Sequence, residues 1–351
     1  MKTKEEIIEG HEVFDNIFEA FKHFAPCSPL IQLENDECRM FRRTNHYEMI
    51  DMQDGTFAAF PNMMFMQCYR GENDVYETCE ANIYRNHKMS GTYDEEGILI
   101  DEIRCQEFKN ILLTFPQVKM ALQDHMRIDF LALAEHYELN TRLLDISSEP
   151  EISAYFATHR WENGTPVPIE KGIGCIRGLS PMMYMNMDGT FSDIFHAIGL
   201  QCFQRPGLQA AFGIETNMGE DVSGYGWCVY FRQDLAVNMK IHMNFHYDAE
   251  KQRVLRNSWL FPEEDIADVA RVVKNTQVLS RKAVTEYCAE HQSYEESVLS
   301  ILKHQGIRVS NKPVFQLSAD RILELTSMYR GRMYGDVQLN GRFCYRPEAN
   351  G

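Results

Sequence analysis

Hydrophobic and polar positions alternate with a helical period at the start of the chain. Residues 4–24 place Ile7, Ile8, Val13, Phe14, Ile17, Phe18, Phe21 and Phe24 largely on one broad face, which predicts an amphipathic helix. Ala25-Pro26-Cys27-Ser28-Pro29 ends it. Residues 59–69, rich in Met and Phe, read as a buried strand running into a turn at Cys68-Tyr69-Arg70-Gly71. Residues 102–137 read as helical and close with Leu131-Ala132-Leu133-Ala134-Glu135-His136-Tyr137. Thr141-Arg142-Leu143-Leu144-Asp145 reads as extended and leads to a helix start, with Ser148 as cap, Pro150 in the first turn and Glu151 three residues on.

The middle of the chain reads as β. Residues 172–177 and 225–232 are strand-like, and residues 237–247 alternate apolar and polar without a fault, which predicts a further strand. After Leu260-Phe261-Pro262 a helix begins, with Glu263, Glu264 and Asp265 in its first turn and Ile266, Val269, Ala270 and Val273 facing inward. Residues 294–304 and 318–329 add helices. The expectation is an α+β protein of mixed or antiparallel sheets flanked by helices. Its parts are an amphipathic helix and linker over 1–40, a main domain over 41–275 and a helical extension over 276–351.

Composition narrows the function class. The 351 residues carry 35 Lys and Arg against 51 Asp and Glu, a net charge of −16, which argues against nucleic-acid and anionic-membrane partners. No apolar run reaches the length of a membrane span, and the first residues turn acidic at once, so a cytoplasmic location is expected. The ten cysteines stand singly with no CxxC pair and read as free thiols.

Several motifs fail on physics. His242 and His246, placed on a strand, would lie roughly 13 Å apart, too far to share a metal. Gly172-Ile173-Gly174-Cys175-Ile176-Arg177-Gly178 misses the dinucleotide fingerprint and reads on as a strand. The second Tyr-Arg-Gly, at 329–331, closes a helix where Gly is an ordinary cap. What survives is Arg70 and Arg142 set in apolar surroundings, which demand partners. One reading is an internal ion pair with Asp145 or Glu72. The other is a clamp for phosphate or carboxylate, helped by backbone N–H groups of the helix after Ser148. Spacing leaves both open.

The blocks Tyr69-Arg70-Gly71-Glu72, Tyr84-Arg85, residues 134–145 and Pro150 with Ala154-Tyr155-Phe156-Ala157 closely resemble the FRG domain family, named for its Phe/Tyr-Arg-Gly motif. Arg205 to Phe212 and Leu260-Phe261-Pro262-Glu263 are similar to two later segments of that family, so the resemblance covers about residues 45–275. The chain departs from the family pattern with Glu135 for Gln, Glu138 for Gly, Asn140 for Pro and Ala211 for Gly. A role in bacterial defence or toxicity is what family analogy implies.

The order of motifs further resembles the ADP-ribosyltransferase layout, which implies such a core and NAD as substrate, without a metal. Under that resemblance Arg70 holds NAD, the segment Thr141 to Ser148 braces the site, and a late carboxylate stabilises the ribosyl cation. Gln209 stands at the third motif, and Glu215 lies six residues later. The implied catalytic set is Arg70, Gln209 and Glu215. The implied binding set is Tyr69, Arg70, Gly71, Glu72, Arg85, His136, Thr141, Arg142, Asp145, Ser147 and Phe212. For His136, its place at a helix end favours packing on Tyr137 and a backbone hydrogen bond over proton transfer, and Phe212 reads as core. The resulting functions are a mono-ADP-ribosyltransferase or NAD glycohydrolase with an unidentified acceptor. The alternative is a non-catalytic module binding a nucleotide, an anion or a protein partner.

Overall fold

The computed structural model describes residues 2–35, 46–51, 54–60, 67–162, 165–184, 193–248, 253–329 and 338–344. Among these residues seven strands form the principal sheet: β1 (Val13–Phe14), β2 (Cys68–Glu72), β3 (Leu143–Ser147), β4 (Ile173–Leu179), β5 (Phe195–Ala197), β6 (Ala211–Glu215) and β7 (Gly226–Arg232). Their spatial order is β1-β7-β4-β2-β3-β6-β5. β1 runs parallel to β7, and every other neighbouring pair is antiparallel. With the flanking helices and several small sheets this is the α+β architecture the pattern predicts.

The sheet splits at its centre. β2 and β3 meet through one residue pair, Tyr69 with Ser147, whereas the ladders on either side run the length of both strands. Backbone groups beyond that pair need other partners. Arg70 supplies one, its Nη1 donating to the Asp145 carbonyl at 2.8 Å.

One face of the sheet is covered by helices α1 (Ile17–Phe24), α4 (Pro150–Thr158) and α5 (Leu235–His246), whose Phe18, Phe21, Tyr155, Ile241 and Phe245 share an apolar cluster with Ile176 and Phe231. A second cluster joins α2 (Glu95–Leu112), α3 (Phe130–His136) and α6 (Asp265–Asn275), with Ile266, Val269, Ala270 and Val273 facing inward as their spacing predicts. Past residue 276, helices Arg281–Glu290 and Glu295–His304 pack Val284, Tyr287 and Leu302 against Ile100 and Ile103 of α2. Helix Ala319–Tyr329 follows, and Arg330 and Gly331 lie outside the described residues.

Three sequence expectations are corrected. The single helix over 4–24 is a short helix Lys4–Ile8, then β1, then α1, because Asn16 accepts from Phe18 and Glu19 N–H and starts a new helix. The strand over 237–247 is α5, so His242 and His246 are not roughly 13 Å apart but one helical turn apart, their rings stacked with centroids at 3.8 Å. Asp234 caps α5 through Ala236 and Val237, and its buried face is Asn238, Ile241, Asn244 and Phe245, while Met239 and Met243 are exposed. The alternation misled because apolar Met faces solvent and Asn238 is buried, bonded to Ile169 O at 2.8 Å. Ser148 does not cap α4; its hydroxyl has no hydrogen-bond partner among the described residues, and the Ser147 hydroxyl receives Glu149 N–H at 3.1 Å. Of the expected strand over 59–69, residues 61–66 lie outside the described residues.

Candidate functional site

The split between β2 and β3 opens a cavity of about 230 Å³. Nine of the residues named from the sequence line it: Tyr69, Arg70, Gly71, Glu72, Arg85, His136, Asp145, Ser147 and Gln209. Asn73, Tyr76, Ile146, Ser153, Phe156, His159 and Trp161 complete the walls. Sequence reasoning missed these seven. Ser153, Phe156 and His159 recur every third residue along α4 and its end, so they project from the helix face laid against Gly71.

Arg70 is charge-compensated. Its Nη1 donates to an Asp145 carboxylate oxygen, and its Nε lies 3.4 Å from Glu72 Oε1. Glu72 also receives Arg177 Nε at 2.8 Å and the Cys175 thiol at 3.3 Å. Both partners that spacing offers Arg70 are therefore engaged. Burial opposes the charge on Glu72, but Arg177 and Arg70 outweigh it and hold the carboxyl below its usual range. Asp145 behaves alike, with Arg70 the largest favourable influence, so it is ionised at neutral pH. Its side chain remains 32% exposed.

His136 is set differently from the sequence expectation. Its Nδ1 lies 2.8 Å from Gln209 Oε1, and Gln209 Nε2 donates to Leu260 O at 3.1 Å. The amide oxygen can only accept, so Nδ1 carries the proton. Nε2 is buried without a hydrogen-bond partner among the described residues. Burial lowers the imidazole's proton affinity against the opposing pull of Asp145, leaving it neutral. Behind it, Glu135 accepts from Thr141 Oγ1 at 2.5 Å and Asn82 Nδ2 at 3.0 Å, and burial pushes its carboxyl up to about 8.

Arg85 is exposed, lies 5.6 Å from the Tyr76 ring centroid, and pairs with no carboxylate among the described residues. The start of α4 carries the carboxyls of Glu149 and Glu151 beside its first backbone N–H groups. Burial, then Glu151, raises Glu149 to about 7. Two carboxyls at that helix end weigh against an anion clamp there.

The other named residues lie elsewhere. Thr141 and Arg142 line a separate cavity of about 140 Å³. Arg142 pairs with Glu215 at 2.7 Å. Glu215 also meets His196, which is held by Asp129 at 2.6 Å and raised to about 9 by these two carboxylates against its burial. Phe212 is in the core with Ile146 and Phe195. A larger groove of about 940 Å³ runs past Arg205, Glu264 and Arg321 and shares Trp161 with the central cavity; Arg321 is already paired with Asp265 at 2.6 Å. Among the described residues no group of three or more His, Cys, Asp or Glu could hold a metal ion, and no helix is long and apolar enough to cross a membrane.

No curated protein and no solved structure matches the chain. Residues 66–165 match the model of the FRG domain, a span that holds every named lining residue of the central cavity except Gln209. The Tyr69-Arg70-Gly71 strand, the helix resting on its glycine and the Asp145 strand thus fall within one recognised unit, and the chain carries an FRG domain over residues 66–165.

Proposed function

We propose that the cavity binds the nicotinamide-ribose end of NAD and cleaves its N-glycosidic bond, passing the ribosyl group to water or to a protein side chain. The observation that carries this reading is Asp145, an ionised carboxylate partly exposed in a cavity walled by Tyr69, Tyr76, Phe156 and Trp161. Departure of nicotinamide builds positive charge on the ribose, and a fixed carboxylate beside it lowers the barrier. Aromatic faces suit the pyridine ring. The volume of about 230 Å³ is below the roughly 300–1,000 Å³ usual for a drug-sized ligand, which suits one end of a dinucleotide.

Under this reading the carboxylate role expected of Glu215 passes to Asp145, because Asp145 lines the central cavity and Glu215 lies outside it, paired with Arg142 and His196. Arg70 holds Asp145 in place, and Arg85, which pairs with no carboxylate among the described residues, is free to meet a pyrophosphate. A second reading, nucleotide binding without turnover, is favoured by Gln209: the third-motif residue carries no charge and its amide is tied at both ends.

NAD-dependent melting of the full chain tests binding. NAD should raise the melting temperature in proportion to ln(1 + [L]/Kd), and Arg85→Ala should shrink the rise. No rise at millimolar NAD would remove both readings.

A further inference from the structure

We infer that His136 is the general base of the cavity, accepting through Nε2 the proton of the water that attacks the ribosyl carbon. The inference rests on the glycosidic-cleavage reading and adds to it a residue and a direction of proton flow. Two contacts fix the orientation. Leu260 O receives Gln209 Nε2–H, Gln209 Oε1 receives His136 Nδ1–H, and Nε2 is left with its lone pair and no partner among the described residues. The backbone is pinned as well, since Arg205 Nη1 donates to His136 O at 2.5 Å. A buried ring nitrogen without a partner is rare in a folded protein, and this one belongs to a residue that lines the ligand cavity. Hydrogen bonds of catalytic groups commonly form only in the ligand complex, which is where this lone pair finds its donor.

The chemistry balances. The C1′–N bond breaks with its electron pair going to the pyridinium nitrogen, so nicotinamide leaves neutral. Water oxygen bonds to C1′, its proton passes to His136 Nε2, and the imidazolium later releases that proton to solvent. NAD and water thus give ADP-ribose, nicotinamide and one proton. Gln209, from the segment before β6, contacts the imidazole, and the charges that act on it are Asp145 from β3, Arg205 from the same segment as Gln209, and Asp129 from the start of α3. Asp145 favours the transient imidazolium, and Arg205 opposes it.

The test uses the full chain, NAD as substrate and His136→Gln, whose amide can still hydrogen-bond Gln209 but accepts no proton. The inference expects kcat for nicotinamide release to fall roughly 100-fold or more while the NAD-dependent melting shift stays within twofold. It also expects the wild-type rate to fall with acid along a limb below pH 6.5 that His136→Gln lacks. Unchanged kcat in the variant overturns the base assignment and leaves glycosidic cleavage standing. No release by wild-type protein overturns both. Should His136→Gln fail to fold, the wild-type profile decides alone, and a rate flat from pH 4 to 7 refutes the assignment.

Discussion

Gly71 sits where α4 rests on β2, and Gly71→Ala probes whether that contact defines the Tyr-Arg-Gly motif. A Cβ at residue 71 would lie 1.8 Å from Ser153 O and 2.8 Å from Ala157 N, both backbone atoms of α4. Ordinary contact begins at 3.4 Å, so the helix must retreat by about 1.5 Å or bend. Overpacking of this kind costs about 1–3 kcal/mol and occasionally more, and disturbing the Ser153–Ala157 turn adds about 1 kcal/mol. The expected loss is therefore about 3 kcal/mol. At an unobstructed site the same change stabilises by about 0.4–1 kcal/mol through the unfolded chain, so the sign itself is diagnostic. Urea unfolding followed by tryptophan fluorescence, with slopes compared, measures it. A Gly71→Ala protein as stable as the parent would refute the close approach and with it the packing account of the motif.

Further outcomes follow from the titrating groups. Burial raises Glu135 to about 8, so between pH 4.5 and 8 the unfolded chain releases a proton that the native state keeps, and stability falls as pH rises. Glu135→Gln should relieve this, gaining at least about 1 kcal/mol at pH 8 in urea unfolding, and no gain at pH 8 over pH 5 would sink the idea. His196, raised to about 9, contributes stability in full below pH 6.5 that is lost as pH climbs through 9; His196→Asn should flatten the melting temperature over that window. Glu215→Gln should lower the melting temperature yet leave nicotinamide release unchanged, and a slowed reaction would return Glu215 to the site. His159 and His246 are buried neutral, lowered to about 3 and 4, so the native state refuses protons that the unfolded chain takes up near 6.5. Stability should fall as pH drops from 6.5 toward 4, and His246→Asn should lessen the fall in a melting series.

The α+β class of the fold and the ion pairs of the cavity were both legible in the sequence. Arg70, Glu72 and Asp145 betray themselves in sequence because charges in apolar runs must meet, and in the structure they do. Arg142 obeyed the same rule but found Glu215 instead, since neighbouring strand residues point to opposite faces and spacing does not say which face the cavity takes. The helix at 235–246 was misread because its exposed methionines and buried asparagines reproduce a strand's alternation. His136 was given a backbone partner because Gln209, 73 positions away, is invisible to local pattern. Glu135, where the related family has glutamine, is a departure in name more than in charge, because its carboxyl is largely neutral at pH 7.

Nicotinamide release from NAD by the purified protein, with Asp145→Asn alongside, bears most directly on the account. It predicts release by the parent and a loss of roughly 100-fold or more in the variant, because the asparagine cannot stabilise the ribosyl cation. Equal release by both proteins would contradict the role of Asp145, and no release by the parent would contradict cleavage altogether.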